Sequence, residues 1–263
     1  MAVALVLMSS TEQYPIGHRI IRLDSVDSTN NYAAKLLLSD DLPHGSVIMA
    51  DEQTAGKGQR GASWLSKAGE NLLFTVILKP VNLSINEQFK LTQFASLSVF
   101  DLLTKYDIKS AIKWPNDIYL DDSKICGMLI ENQVSSLFIS NILLGIGLNV
   151  NQNEFSELQA TSLVKKLGSK IPVMDVAMSL CHCLNNRWKL IENRQFDELD
   201  NDYHEQLYLR KIPSLFSDEQ GEFSGTIINT TETGRLNVEG RNNEIRSYDL
   251  KEIRFVRRNA PSI

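Results

Sequence analysis

The chain has 263 residues, of which 43% are apolar and 22% charged, as in an ordinary globular protein of one large or two unequal domains. Its formal net charge of −5 argues against binding to a nucleic-acid backbone. No apolar run approaches the ~20 residues of a membrane-spanning helix, and the three cysteines suggest neither a zinc site nor a disulfide framework. We therefore expect a cytoplasmic protein that binds neither a membrane nor a nucleic acid.

The N-terminal residues 1–8 are apolar but lack the basic flank of a secretory signal, so we interpret them as an edge strand or an irregular start. Residues 18–24 predict a strand, and Ser28 or Thr29 is placed to cap a helix that runs to residue 38. Further strands are predicted at 47–50 and 72–78.

The middle of the chain alternates helical and extended patterns. Apolar residues at helical spacing predict helices over 87–103 and 174–190. Between these helices, β segments follow one another with connections too short for helical crossovers, which favours antiparallel hairpins. The β segments are 112–114, 118–120, 125–131 and 137–150. Residues 192–206 hold six acids and one arginine, and we interpret them as a solvated helix face.

From about residue 209, short strand-like runs alternate with turns, which predicts a small β-barrel. We expect an α/β fold in which a mixed, largely antiparallel sheet is covered by helices near 30–39, 87–103 and 174–190. The predicted domains are residues 1–208 and 209–263.

Residues 54–61 read TAGKGQRG and satisfy the pattern G-x-G-x-x-G. A dinucleotide-binding fold is disfavoured because only about ten residues separate this loop from the next strand, which leaves little room for a helix. The loop does not fit a Walker A sequence, and no kinase HRD or DFG motif follows. A flexible glycine loop carrying Lys57 and Arg60 suits an anion such as phosphate, and the alternative is a solvated hairpin turn.

Two further blocks carry polar residues at strand ends. Residues 113–117 read KWPND, and Lys124 opens the run KICGMLIE. Lys113 and Lys124 flank the predicted hairpin and are placed to converge on one ligand. Residues 145–150 read GIGLNV, in which the glycines allow close backbone approach and Asn149 offers both a donor and an acceptor.

Together these blocks resemble the biotin protein ligase family, also called biotin–[acetyl-CoA-carboxylase] ligases. The matching blocks are SVDSTN at 25–30, EQTAGKGQRGASW at 52–64, GENL at 69–72, KWPNDIYLDDSKICGMLIE at 113–131 and GIGLNVN at 145–151. The C-terminal segment resembles the small SH3-like domain of that family. Because fewer than 25 residues precede SVDSTN, we expect the monofunctional class without a DNA-binding domain.

The resemblance implies a two-step reaction that uses biotin, ATP and Mg²⁺. Biotin is first converted to biotinyl-5′-AMP, and the biotinyl group then passes to a lysine of a biotin carboxyl carrier protein. The nearest alternative is a lipoate or octanoyl ligase or transferase of the same superfamily, and a second is a non-catalytic binding module. Exposed strand edges suggest a homodimer.

The resemblance also implies residue roles, and no metal-ligating residue is expected. The implied catalytic residues are Lys124, Lys57, Arg60, Lys113 and Asp117. The implied biotin-binding residues are Ser28, Thr29, Asn30, Gln53, Gly56, Lys57, Gly58, Gln59, Lys124 and Gly127. The implied ATP-binding residues are Arg60, Trp64, Asn116, Lys124 and Asn149.

Some roles keep alternatives open. Trp64 either stacks on adenine or serves as a core or hinge aromatic. Asp117 either orients a lysine or assists the incoming amine. The loop reads GKGQRG where GRGRRG is commonest in the family, so Gln59 supplies no charge there. We hypothesise that Lys57 or Arg60 compensates, the alternative being an enzyme that releases biotinyl-AMP more readily.

Overall fold

The computed structural model describes residues 14–39, 42–80, 82–156, 159–240 and 243–256. The edge strand predicted at residues 1–8 lies outside these ranges. No helix within them is both long and apolar enough to cross a membrane.

A seven-stranded sheet forms the centre of the fold. Its strands are β1 (Arg19–Val26), β2 (Ser46–Gln53), β3 (Asn71–Leu78), β4 (Ala111–Lys113), β5 (Asp117–Leu120), β6 (Ser123–Ser135) and β7 (Phe138–Asn149). They lie in the order β1-β2-β3-β7-β6-β5-β4, and every neighbouring pair is antiparallel except β1 with β2. The predicted mixed, largely antiparallel sheet is therefore confirmed.

Helices cover both faces of this sheet. They are α1 (Thr29–Ser39), α2 (Gln88–Lys105), α3 (Leu163–Leu167), α4 (Val173–Glu192) and α5 (Phe196–Glu205). The longest two, α2 and α4, pack on each other and on one face of the sheet in the main apolar core. Helix α1 covers the opposite face, where Ala33 packs with Ile48, Ile77 and Leu143. The three predicted helices are confirmed within two residues at each end.

The acidic segment at 192–206 contains α5, and the predicted solvated face is confirmed for the exposed acids Glu192, Asp197, Glu198 and Glu205 but not for the rest of the segment. Leu199 and Tyr203 are fully buried. Asp200 accepts hydrogen bonds from Lys90 Nζ (2.5 Å) and Gln93 Nε2 (2.7 Å), both on α2. Because the ammonium of buried Lys90 needs a paired anion, its contact with Asp200 attaches α5 to α2.

The C-terminal segment forms a five-stranded antiparallel sheet. Its strands are β8 (Ser214–Asp218), β9 (Gly221–Thr230), β10 (Leu236–Glu239), β11 (Ile245–Tyr248) and β12 (Arg254–Val256), in the order β11-β10-β9-β8-β12. Phe216 and Val238 belong to the same apolar cluster as the central sheet. Trp114 Nε1 also donates a hydrogen bond to the Gly234 carbonyl at 2.8 Å. The C-terminal β domain is thus packed against the first sheet, and a boundary at residue 208 stays a prediction.

Candidate active site

A cavity of about 740 Å³ opens on the α1 face of the central sheet. Its walls include most of the predicted site residues: Ser28, Thr29, Asn30, Gln53, Lys57, Gly58, Gln59, Trp64, Lys113, Asn116, Asp117, Lys124 and Gly127. Segments far apart in sequence therefore meet around one space. Two other predicted residues that the structure describes, Gly56 and Asn149, do not line this cavity.

Three glycines make the space on the sheet surface. Gly127 on β6 pairs with Gly147 on β7, and Gly145 lies two residues before Gly147 on the same face. A Cβ at Gly147 would lie 2.5 Å from the Trp64 ring, and a Cβ at Gly145 would lie 2.5 Å from Asn30 Oδ1. The glycines thus let Trp64 and Asn30 lie directly on the sheet.

Lys124 forms the charged wall of the cavity. Its Nζ lies 2.7 Å from Asp117 Oδ1, and both side chains are about 30% exposed. The ammonium also lies 5.7 Å from the centroid of the Trp64 ring. The backbone of Lys124 bonds to residues 159 and 161, which fixes the strand that carries it. A half-buried ammonium beside one carboxylate can bind an anionic ligand while its position is held.

Lys113 lines the same cavity as Lys124 but has different partners. Its Nζ donates to Tyr119 Oη at 3.0 Å and lies over the rings of Tyr119 (4.7 Å) and Phe255 (5.2 Å). Asn116 uses its Nδ2 to donate to the Met128 carbonyl, which ties the KWPND turn to β6. The predicted ligand roles of Lys113 and Asn116 remain predictions.

The glycine loop is fastened to α1. Lys57 Nζ donates to Asn31 Oδ1 at 2.7 Å, and Asn31 Nδ2 donates to Asp27 Oδ2 at 2.9 Å. The hydrogen bond from Asn31 lowers the pKa of Asp27 below its usual value. Gly56 pairs with Trp64 through its carbonyl, which accepts from Trp64 N at 2.9 Å. The side chain of Arg60 lies outside the described part of the structure.

A second cavity of about 480 Å³ adjoins the first, with Trp64 and Lys124 in both walls. Asn149 lines this second cavity, and its Nδ2 donates to the Thr161 carbonyl at 2.9 Å. The indole of Trp64 therefore stands between a space beside Asn30 and a space beside Asn149. Within the described residues, Trp64 Nε1 has no hydrogen-bond partner.

A polar network forms the floor of the first cavity. Gln53 Oε1 accepts from Thr29 N (2.8 Å) and lies 3.0 Å from Thr29 Oγ1. Thr75 Oγ1 lies 2.8 Å from Thr29 Oγ1 and 2.6 Å from Asn30 Oδ1. Asn30 Nδ2 donates to Glu131 Oε2 at 2.7 Å. Ser28 accepts from Tyr32 N through its carbonyl, which places it at the N-cap of α1.

Sequence reasoning missed several residues of this site. Thr75 lies inside a strand and outside every matching block, and Glu131 ends the block at 113–131 but was assigned no role there. The C-terminal sheet contributes another set to the cavity wall: Leu250, Lys251, Ile253, Arg254 and Phe255. No pattern in the sequence marked that segment, because only the packing of the two sheets brings it there.

Comparison with known proteins places this site in a family. Residues 23–149, which carry most of the cavity, match the biotin/lipoate A/B protein ligase family. Over this stretch, just under half of the chain, the sequence is similar to that family. It is 33% identical over 180 residues to the bifunctional ligase/repressor BirA of Bacillus subtilis, covering 66% of this chain and 55% of that protein. It is 35% identical over 131 residues to the biotin–[acetyl-CoA-carboxylase] ligase of Paracoccus denitrificans, covering 49% of this chain and 53% of that one.

Solved structures extend the similarity to most of the chain. The biotin protein ligase from Aquifex aeolicus, in complex with biotin and ATP, superposes with a TM-score of 0.74 at 26% identity. That match covers 91% of this chain and 100% of the Aquifex chain. By contrast, the chain spans about half the length of the curated relatives it matches.

Proposed function

We propose that this protein is an ATP-dependent biotin ligase that forms biotinyl-5′-AMP and transfers the biotinyl group to a lysine of a biotin carboxyl carrier domain. The observation that carries the proposal is the position of Lys124. Its ammonium lies at the junction of the two cavities, beside the indole that separates them. We assign the first space, with its polar floor, to the head group of biotin and the second, beside the indole and Asn149, to the adenine base.

In the first step, a carboxylate oxygen of biotin attacks the α-phosphorus of ATP, and the bond from that phosphorus to the pyrophosphate oxygen breaks. Carboxylate and triphosphate repel each other, so a cation must hold them within reacting distance. Lys124 is the cation that we assign to this task, and its charge also offsets the charge that develops on the phosphate. Asp117 holds the ammonium through the 2.7 Å ion pair.

In the second step, a neutral lysine amine of the carrier attacks the acyl carbon. An amide bond forms, the acyl–phosphate C–O bond breaks, AMP leaves, and the amine loses a proton. Among the described residues that line the first cavity, Asp117 is the one carboxylate. We therefore assign Asp117 to orienting Lys124 and to receiving the proton that the carrier amine loses.

We treat Mg²⁺ as part of the ATP substrate. Mg²⁺ in nucleotide sites is held by phosphates, waters and one or two carboxylates. Within the described residues no three His, Cys, Asp or Glu side chains are grouped as metal ligands. This chain is consequently expected to bind the ion through the triphosphate, since Asp117, the one carboxylate among the described residues of the cavity wall, is paired with Lys124.

The polar floor favours biotin over a lipoyl or octanoyl group. Thr29, Asn30 and Gln53 are lining residues with mostly buried polar groups. Their oxygens keep unused lone pairs that can accept from the ureido N–H groups of biotin, contacts that an alkyl chain cannot make. This argument supports the biotin proposal against its nearest alternative.

The test is intact-mass spectrometry of a carrier domain incubated with the protein, biotin, ATP and Mg²⁺, with Lys124→Ala as control. One added biotinyl group, lost in the variant, is the expected result. Lipoate and octanoate are supplied in parallel arms, with ATP–pyrophosphate exchange as the readout of activation. Exchange with octanoate or lipoate and none with biotin would overturn the proposal.

Two other predictions belong with this proposal. Gel filtration tests whether the protein forms a homodimer. A binding titration with duplex DNA tests the expectation that it binds no nucleic acid.

A further inference from the structure

The polar floor of the first cavity has a fixed number of hydrogen-bonding protons. Three close oxygen contacts run from Gln53 Oε1 through Thr29 Oγ1 and Thr75 Oγ1 to Asn30 Oδ1, at 3.0, 2.8 and 2.6 Å. Both ends of this chain are amide oxygens, which only accept. The two hydroxyl groups in the middle hold one proton each.

The orientation of the Asn30 amide decides where these protons lie. Glu131 Oε2, an acceptor, lies 2.7 Å from Asn30 Nδ2, so the amide nitrogen must face Glu131. Asn30 Oδ1 consequently faces Thr75, whose side chain is fully buried and donates to it. The Thr29 proton is then taken by Thr75 or by Gln53. In either case both hydroxyl protons are used within the floor.

It follows that Thr29 offers the cavity only an acceptor. Thr29 lines the cavity and Thr75 lies beneath it. If Asn30 turned its amide by 180°, its nitrogen would donate to Thr75 and Thr75 would donate to Thr29, so one lone pair of Thr29 would be occupied within the floor and lost to the ligand. The acceptor character of Thr29 therefore depends on Glu131, a residue that does not line the cavity.

We propose that Glu131 and Thr75 are positioning residues that set the floor as a hydrogen-bond acceptor and so select a ligand whose buried end carries an N–H donor. The inference rests on the proposed function and deepens it, because the ureido nitrogens of biotin are such donors. A wrongly oriented floor would offer the ureido N–H groups one lone pair fewer, and an N–H left unpaired in the buried site weakens binding.

The experiment measures biotin and ATP kinetics by pyrophosphate exchange in four variants: Glu131→Ala, Glu131→Gln, Thr75→Val and the double Glu131→Ala/Thr75→Val. The alanine and valine variants are expected to raise the KM for biotin about tenfold while the KM for ATP stays within about twofold. Glu131→Gln is expected to restore the wild-type KM, because its amide oxygen still accepts from Asn30. The double variant is expected to be no worse than the poorer single variant, since both act on one chain.

Provided that the wild-type protein activates biotin, three results would overturn the inference. They are a Glu131→Gln variant as impaired as Glu131→Ala, additive effects in the double variant, and equal losses toward biotin and ATP. Thermal unfolding of each variant separates these outcomes from loss of the fold. A wild-type protein that gives no biotin-dependent exchange would instead contradict the proposed function itself.

Discussion

Lys124 and Asp117 form a 2.7 Å ion pair that couples β6 to the KWPND turn at the wall of the main cavity. The two residues divide the work at this wall between supplying a positive charge and fixing its position. Lys124 supplies charge to the ligand, and Asp117 restricts where that charge lies.

Replacing these two residues is expected to give unequal losses. Lys124→Ala removes the cation and should lower the rate of biotin adenylation by about 10²–10³-fold. Asp117→Asn keeps one acceptor for Nζ and should lower it only about tenfold. Stopped-flow or quench measurement of biotinyl-AMP formation checks both values.

Lys166→Ala is the matched control for this pair. Lys166 Nζ lies 2.7 Å from Asp121 at a more exposed position that lines neither of the two adjoining cavities, so its loss should leave the rate within about twofold. Equal losses in the Lys124 and Asp117 variants would contradict the division of roles.

Trp64 is expected to govern nucleotide binding more than biotin binding. Its indole stands between the two cavities and lies on Gly147. Base stacking on an aromatic ring contributes about 1–3 kcal/mol, so Trp64→Ala should raise the KM for ATP about tenfold or more. Trp64→Phe keeps a stacking surface and should lose much less. A larger effect on the KM for biotin than for ATP would indicate a hinge or core role instead.

The contact between Lys57 and Asn31 is expected to hold the glycine loop closed. Asn31→Ala removes the acceptor of the Lys57 ammonium and should increase tryptic cleavage within residues 54–64 about threefold to tenfold. Biotin and ATP together should suppress that cleavage. Asn141→Ala, which removes an exposed amide contact on the β6–β7 hairpin, is the control and should leave loop cleavage unchanged. Equal cleavage in wild type and Asn31→Ala would show that the contact between Lys57 and Asn31 does not hold the loop.

Much of the central fold was predictable because its segments have clear local periodicity. The hairpins from β4 to β7 follow from connections too short for helices, and α2 and α4 follow from apolar residues at helical spacing. The acidic α5 was predicted only in part, because its charge pattern does not show that Asp200 and Asp202 pair with Lys90 on α2 and Arg187 on α4. The composition of a segment gives its charge, but it does not show which cations of other helices pair with its acids.

The site was predictable only where its residues fall in contiguous blocks. Thr75 reaches Asn30 because β3 pairs with β7 so that Thr75 lies opposite Gly145, a register that no single segment reveals. Glu131 likewise acts from the end of a block whose other residues carry the motif. The part of the C-terminal sheet in the cavity wall depends on how two sheets pack, which local patterns do not encode.

His44 is expected to make the fold less stable in weak acid. It is 6% exposed, its Nδ1 accepts from Lys79 N at 3.1 Å, and its ring packs against Trp188 at 5.1 Å between centroids. Burial, with smaller contributions from the charges of His18 and Lys79, lowers the pKa of His44 from 6.5 to about 4. The neutral ring is thus the form that the folded protein accommodates.

The sign of the effect follows from proton uptake. Below pH 6.5 the unfolded chain binds a proton at His44 that the folded protein does not bind until about pH 4. The stabilisation from neutral His44 is complete above pH 6.5, declines as the pH falls and is lost by about pH 4, a change of up to about 3 kcal/mol.

Urea unfolding at pH 7.5, 6.0 and 5.0 measures this contribution in wild type and His44→Asn. The substituted amide keeps an acceptor for Lys79 N but does not titrate, so the variant should lose less stability between pH 7.5 and 5.0 than wild type does. Burial also lowers the pKa of His204, which accepts from Thr230 N at 3.1 Å. His204→Gln therefore serves as a second variant. It measures how much of the change in the free energy of unfolding with pH comes from the contact between α5 and β9. Parallel pH profiles for wild type and His44→Asn would show that His44 is protonated without cost in the folded protein.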